Sequence, residues 1–250
     1  MSSRDRIAVV TGGSSGIGKA VAEAFAHDNA QVVIIGRRME TLEATGQTIG
    51  PTCTWQQADV SQRGQVTAAV SAIIEQFGKI DVLVNNAGFV RGITTDVPLE
   101  QAEQTWDDEL GTNLRGAFLM AVAVAPHLPR PGGRIINISS IAAFTGGSRP
   151  GAIGYAAAKA GLLGMTYALA RELSPQGITV NAIAPGFIAN TEFTGHWPEE
   201  RVRGIVAQTP LGRAGRAADV AAAVLFLASA GASFITGEVL NVNGGWLFGH

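Results

Sequence analysis

Short, unbroken apolar runs punctuate this chain. They are Ile7-Ala-Val-Val10, Gln31-Val-Val-Ile-Ile35, Ile80-Asp-Val-Leu-Val84, Arg134-Ile-Ile-Asn-Ile138, Thr179-Val-Asn-Ala-Ile183 and Glu238-Val-Leu-Asn-Val242. Runs of this length without a polar face are what strands buried on both sides of a parallel sheet look like. Cys53 to Gln57 reads as a further strand. Between these runs the apolar positions recur with helical spacing: over Lys19–Ala26, over residues 40–50, from the Ala58-Asp59-Val60 turn through Phe77, and in one or two long helices over residues 99–126. The same spacing returns around Tyr155 to about Leu173, and over Ala217–Ala228 with Asp219 in its first turns. Strand alternating with helix predicts an α/β fold with a parallel sheet. Residues 187–210 show no such spacing and read as a long irregular stretch holding Phe193, His196 and Trp197. Loops of that length at the end of a sheet are commonly lids.

Composition narrows the class without changing it. With 250 residues, 46% apolar, 15% charged and 32 glycines, the chain has material for one large α/β domain spanning residues 1–250. No internal repeat or linker divides it. A net charge of −2 provides no basic footprint for nucleic acid or an anionic membrane. No apolar run approaches the ~20 residues of a membrane span. The N-terminus lacks an apolar leader core, and the single Cys53 cannot form an internal disulfide; both fit a cytoplasmic protein. No metal-ligand cluster is expected.

The first strand meets Thr11-Gly-Gly-Ser-Ser-Gly-Ile-Gly18, which runs straight into a helix. Strand, glycine-rich turn, helix is the context of a dinucleotide site. Glycines let the backbone approach a pyrophosphate, and the helix start offers unpaired N–H groups. The spacing is Gly12-x-x-x-Gly16-x-Gly18; such a turn alone can be a plain tight connection. At the end of the second strand, where an acidic residue would bind ribose hydroxyls, the chain carries Gly36-Arg37-Arg38. Two guanidiniums there suit a 2′-phosphate and so NADP(H), against a bland reading as solvated loop charge. Asp59 is a candidate cap for the following helix and a candidate adenine contact. Asn85-Asn86-Ala87-Gly88 puts polar side chains at a strand's C-terminal end, where ligands bind in open α/β sheets; its bland reading is turn chemistry.

The chemistry centres on Tyr155 and Lys159. Four residues apart in an alanine-rich helix, they share one face. A phenol titrates near ~10, and a neighbouring ammonium is expected to lower that value, making a proton donor and its tuner. Ser140, just past the strand at residues 134–138, can offer its hydroxyl to the same reacting oxygen. Asn113, in an otherwise apolar helix, needs buried partners; it is either a satisfied core amide or a group that bonds the backbone near Lys159 and orders a water. A Tyr-x-x-x-Lys pair is usually an ordinary helix face. Here, however, the chain has two tyrosines and three lysines in all, and one of each falls at this spacing.

Taken together, Thr11-Gly-x-x-x-Gly-x-Gly18, Asn85-Asn-Ala-Gly88, Asn113, Ser140, Tyr155-x-x-x-Lys159, Pro185-Gly186 and the Asn-Gly-Gly near residue 244 resemble the short-chain dehydrogenase/reductase family over roughly residues 5–246. The resemblance implies a Rossmann-type, doubly wound sheet of about seven parallel strands with helices on both faces, assembled as a homotetramer or homodimer. It implies that Tyr155 protonates the alkoxide formed on hydride transfer to a ketone. Ser140 would polarise the carbonyl, Lys159 would tune Tyr155 and hold the nicotinamide ribose, and Asn113 would position a relay water. It implies a cofactor-binding set of Gly12, Ser14, Ser15, Gly16, Ile17, Gly18, Arg37, Arg38, Asp59, Val60, Asn86, Ala87, Gly88, Tyr155, Lys159, Pro185, Gly186, Ile188 and Thr191. Two departures stand out. Ser140 precedes Tyr155 by fifteen residues where many members have thirteen, and Thr191, expected against the carboxamide, falls one place late after Pro185-Gly186. The implied activity is an NADP(H)-dependent carbonyl or 3-oxoacyl reductase acting on a small carbonyl or alcohol. The alternatives are a secondary-alcohol or sugar dehydrogenase working oxidatively and, more remotely, a cofactor-binding sensor. Phe144, Ile153, Phe187, Phe193 and Trp197 are candidate walls of an apolar substrate pocket, and the Trp246, Phe248, His250 tail is a candidate contact with a neighbouring subunit.

Overall fold

The computed structural model describes residues 6–249; of the tail, His250 lies outside the described residues. Seven strands form one parallel sheet in the order β3-β2-β1-β4-β5-β6-β7. They are β1 (Ile7–Thr11), β2 (Gln31–Gly36), β3 (Cys53–Gln57), β4 (Val82–Asn85), β5 (Arg134–Ile138), β6 (Thr179–Pro185) and β7 (Val239–Val242). The connecting helices are α1 (Gly16–His27), α2 (Met39–Ile49), α3 (Arg63–Phe77), α4 (Leu99–Leu110), α5 (Gly116–Val124), the one-turn α6 (Ala142–Thr145), α7 (Ile153–Leu173), α8 (Glu199–Ala207) and α9 (Ala217–Ala228).

Successive residues of each strand point to opposite faces, so the unbroken apolar runs feed two cores. Ala8, Val10, Val32 and Ile34 pack under α1 and α9 with Phe25, Val220 and Val224. Val9, Val33, Ile35 and Leu83 pack under α3, α5 and α7 with Ile73, Met120 and Leu173. Each of the larger side chains among these, once buried, contributes about 1.5–3 kcal/mol of transfer free energy. That is why the runs carry almost no polar residue.

The chain winds outward from β1 to β3, then returns to β4 on the other side of β1. The loops after β1 and β4 therefore diverge and leave a crevice at the strands' C-terminal ends, the place where open α/β sheets bind ligands. Two expectations are corrected. Residues 187–210 are not wholly irregular, since Glu199–Ala207 is helical with Pro198 at its N-cap and Glu199 and Glu200 in its first turn. Asp59 does not cap α3: Gln62 is the N-cap residue, and the Asp59 carboxylate instead accepts from Ser61 N at 2.9 Å and Ser61 Oγ at 2.7 Å, closing a turn before the helix.

Candidate active site

The crevice opens into a cleft of about 580 Å³. Its floor at one end is the glycine turn after β1. Gly12 and Gly16 both adopt positive φ, at 64° and 50°, which favours glycine. Gly18 is required for a different reason: a Cβ there would lie 2.1 Å from the Gly12 carbonyl oxygen. Asn86 ties this turn to the end of β4, donating from Nδ2 to Thr11 O at 2.9 Å and to Gly12 O at 3.2 Å. Thr11 Oγ1 reciprocates by accepting the amides of Asn86 and Ala87 at 2.9 and 3.0 Å. The asparagine is thus a strut across the switch point rather than a local turn former. At the start of α1, Ser15 makes no side-chain cap, so the first helical amides have no partner from it. Uncapped amides above a turn that only glycines can form suit the pyrophosphate of a dinucleotide.

Ser14, Ser15, Ile17, Asp59, Val60, Ala87, Gly88, Pro185, Gly186 and Ile188 line the same cleft, together with Arg37 and Arg38; Gly18 lies beneath the turn rather than in the wall. The two arginines differ in their commitments. Arg38 Nη2 meets Glu192 Oε1 at 2.6 Å, whereas the Arg37 guanidinium sits 5.9 Å from the Phe89 ring centroid and forms no ion pair among the described residues. Thr191 reaches the glycine turn: a Cβ on Gly16 would stand 3.4 Å from Thr191 Cβ. The extra residue before it is taken up at Asn190, which turns through φ 57°.

At the other end, the end of β5, the turn between α4 and α5, and α7 bring four groups together. Three hydrogen bonds hold α7 against the end of β5: Asn137 Nδ2 to Thr166 Oγ1 at 2.9 Å, Ser139 Oγ to Lys159 O at 2.9 Å, and Lys159 Nζ to Ile138 O at 2.9 Å. Ser140 stands near Tyr155, close enough for its hydroxyl to bear on the phenol, and both line the cleft. The two additional residues between them are accommodated in a loop with positive φ at Gly146, Gly147 and Gly151, so the longer interval does not separate the hydroxyls. Asn113 lies in the middle of a π-helical turn, Gly111–Arg115, that joins α4 to α5. Such a turn admits one residue more than an α-turn and marks functional sites often. Its Nδ2 donates to Phe89 O at 2.8 Å and Glu109 O at 2.9 Å, so its backbone partner is the β4 loop and not the segment near Lys159. Asn113 Oδ1 is buried without a partner. It and Lys159 Nζ converge on Gly88, whose absent Cβ would be 2.4 Å from the first and 3.4 Å from the second.

The electrostatics correct the expected tuning. Burial pushes the Tyr155 phenol up to about 12; the neighbouring Ser140 hydroxyl opposes the shift and the charge of Glu109 adds to it. Burial also brings the Lys159 ammonium down to about 8. Lys159 Nζ lies 5.6 Å from the Tyr155 ring centroid and directs a hydrogen bond at a carbonyl, so desolvation outweighs the attraction between the pair.

Comparison with known proteins bears on this geometry. Residues 12–247 match a family model described as enoyl-(acyl carrier protein) reductase. The chain is 39% identical over 246 residues to the 3-oxoacyl-[acyl-carrier-protein] reductase FabG of Escherichia coli, covering 98% of each protein. It is 40% identical over 243 residues to FabG of Staphylococcus aureus, covering 95% of this chain and 96% of that one. A solved structure of a short-chain dehydrogenase/reductase from Brucella melitensis, named as a glucose/ribitol dehydrogenase, superposes with a TM-score of 0.91 at 33% identity over 98% of both chains. The chain is a short-chain dehydrogenase/reductase.

Within this short-chain dehydrogenase/reductase, Phe187, Phe193 and Trp197 line the cleft as expected, whereas Phe144 and Ile153 lie outside its wall. Trp246 lines the cleft of its own chain. Glu109 is the residue that sequence reasoning missed. It is fully buried; Oε1 accepts the amides of Arg91 at 2.6 Å and Gly92 at 3.1 Å, and Oε2 has no partner. A glutamate in a stretch of Asp107, Asp108 and Glu109 reads as surface charge, and only its position four residues before Asn113 distinguishes it.

Proposed function

We propose that this protein reduces a ketone to a secondary alcohol with NADPH, as a carbonyl or 3-oxoacyl reductase. The observation that carries the reading is the convergence of Ser140 and Tyr155 on one cleft, with Lys159 one helical turn behind. The cofactor, when bound, supplies the hydride. Ser140 holds the carbonyl oxygen by donating its hydroxyl hydrogen, and Tyr155 gives its phenolic proton to the oxygen as negative charge develops there. Lys159 then lies one turn away as a cation to offset the phenolate left behind. Asn113, with its free Oδ1 beside Lys159 Nζ, is placed to hold a water that returns the proton.

With its phenol at about 12, Tyr155 carries at neutral pH the proton that ketone reduction consumes. Arg37 is the cation available for a 2′-phosphate, and the names of the FabG relatives favour a 3-oxoacyl substrate. The name of the Brucella protein favours the oxidative alternative, a sugar or secondary-alcohol dehydrogenase. The chain is read as cytoplasmic and as a homotetramer or homodimer, in line with the resemblance; no helix among the described residues is long and apolar enough to cross a membrane.

Fluorescence titration with NADPH and NADH tests the cofactor assignment. Arg37→Ala is expected to weaken NADPH about 10- to 100-fold, the loss of one charge-assisted contact, and to leave NADH unchanged. Equal binding of both cofactors, insensitive to Arg37, would return the oxidative reading to first place. Tyr155→Phe is expected to lower turnover of a ketone by about 10²- to 10⁴-fold with cofactor binding retained; full turnover in that variant would exclude Tyr155 as the proton donor.

A further inference from the structure

Beyond Tyr155 the cleft has a graded wall. The Phe193 ring packs 5.9 Å from the Tyr155 ring, and Trp197 stacks on Phe187 at 5.3 Å. The guanidinium of Arg201, from the first turns of α8, lies 3.2 Å over Trp197 and donates from Nη2 to Ser148 Oγ at 3.2 Å. Ser148 belongs to the loop between Ser140 and Tyr155, and so does its neighbour Arg149, which lines the same cleft. Aromatic rings therefore lead from the reacting hydroxyls to two cations, one from each of the two segments that border the substrate end.

Neither cation has an acidic partner. Arg149 and Arg201 enter no ion pair among the described residues. The carboxylates in the cleft wall are Asp59 and Glu192, and both are committed elsewhere: Asp59 to Ser61 and Glu192 to Arg38. Burial lowers the Arg201 pKa from its usual value, and the like charge of Arg149 lowers it further. Two positive groups facing one cleft repel each other until an anion enters between them. Arg201 is already oriented by the Trp197 ring and Ser148, so little side-chain freedom is lost when it binds one. A planar guanidinium fork suits a carboxylate or a phosphate.

We propose that Arg149 and Arg201 form an oxyanion-recognition subsite for the end of the substrate remote from its carbonyl. The substrate class is then a ketone joined through an apolar segment to a carboxylate or phosphate. This deepens the carbonyl-reductase reading and rests on it. It also assigns a role to the lengthened Ser140–Tyr155 loop, which supplies Arg149 and the Ser148 that orients Arg201.

The test compares matched ketones on the native protein with saturating NADPH. Methyl-ketone carboxylates of increasing length, from 4-oxopentanoate to 7-oxooctanoate, are each assayed against their methyl esters. Phosphate esters of the corresponding hydroxyalkyl methyl ketones are assayed against the free alcohols. Wild type is expected to favour the anion at one chain length, through KM, and the series with the larger preference identifies carboxylate or phosphate. Arg149→Gln/Arg201→Gln should raise KM for the preferred anion about tenfold or more and change the neutral partner less than twofold. Arg201→Lys should recover part of that preference. Arg149→Gln alone, a change on an exposed loop, should reproduce part of the loss should the double variant fold poorly. Equal kinetics for anion and neutral partner in wild type would overturn the subsite, as would a double variant that slows both alike. Failure of wild type to reduce any of these ketones, charged or neutral, would count instead against the reductase reading. In that event calorimetric titration of the NADPH-loaded protein with the same anionic ketones decides the subsite, which is refuted if they bind wild type and the double variant equally.

Discussion

Arg38 and Glu192 join opposite sides of the cleft through a 2.6 Å contact between Nη2 and Oε1. Arg38 stands just after β2, where the ribose of a dinucleotide is expected, and Glu192 follows Thr191 in the segment after β6. Both side chains are well exposed, so the pair contributes little to stability. Its consequence is for the cofactor. A 2′-phosphate must share Arg38 with a carboxylate and also meet that carboxylate's charge. Glu192→Gln is expected to tighten NADPH about two- to fivefold and to leave NADH unchanged, with the gain shrinking as salt is raised. Tightening of both cofactors alike would show that the pair acts on the position of the loop and not on the phosphate.

Gly88 should be intolerant of alanine because of Asn113. The added Cβ would sit 2.4 Å from Asn113 Oδ1, so the amide must swing away from Phe89 O and Glu109 O. Gly88→Ala is expected to lower kcat about 10- to 100-fold with the circular dichroism spectrum retained. Because both changes act through one amide, Gly88→Ala/Asn113→Ala should be no slower than Asn113→Ala alone. Multiplicative losses in that cycle would show that Gly88 serves the cofactor independently.

Glu109 gives a prediction in pH. Its charge raises the Tyr155 pKa, after burial the other contribution in that direction. Glutamine at position 109 keeps an oxygen to accept the Arg91 and Gly92 amides while removing the charge. The phenolate is then less disfavoured and the Tyr155 pKa falls. In the alcohol-oxidising direction, where Tyr155 acts as base, the rising alkaline limb of log(kcat/KM) should move to lower pH by about half a unit to one unit. An unmoved limb accompanied by a higher KM would mean that Glu109 serves only to hold the Arg91–Gly92 backbone.

The strands, the switch point and the glycine turn were legible in the sequence because each rests on a local rule. Apolar runs mark doubly buried strands, and a turn that excludes Cβ atoms must be glycine. Tyr155 and Lys159 were legible for the same reason, since helical spacing alone places them together. What depends on contacts between distant segments was not legible. The commitment of Arg38 to Glu192 spans the cleft, and Asn113 turns to Phe89 because a π-helical turn shifts its direction. The expectation that Lys159 lowers the Tyr155 pKa followed from charge alone, whereas desolvation of both groups is a property of the packed core. Helix α8 was hidden because its apolar face is short: among its residues Ile205 alone is buried.

Lys159 links that desolvation to stability. The residue is 4% exposed, and burial brings its ammonium down to about 8 from the 10.5 of an ordinary lysine. Between these values the unfolded chain binds more protons than the folded one, so the contribution of Lys159 to stability rises with pH across that window and is unfavourable and constant below it. The difference corresponds to a net cost on the order of 3 kcal/mol at neutral pH. Lys159→Met removes the charge and keeps the stem. It should abolish turnover, and its melting temperature relative to wild type should be highest near pH 7 and fall by several degrees as the pH is raised to 10. Tyr155 acts in the opposite sense at higher pH: with its folded value at about 12, stability is lost as pH rises above the unfolded phenol's ~10. Scans should therefore stop at pH 10, where the lysine alone governs the difference. A melting difference that stays constant from pH 7 to 10 would show that Lys159 is not held at a lowered pKa in the folded protein.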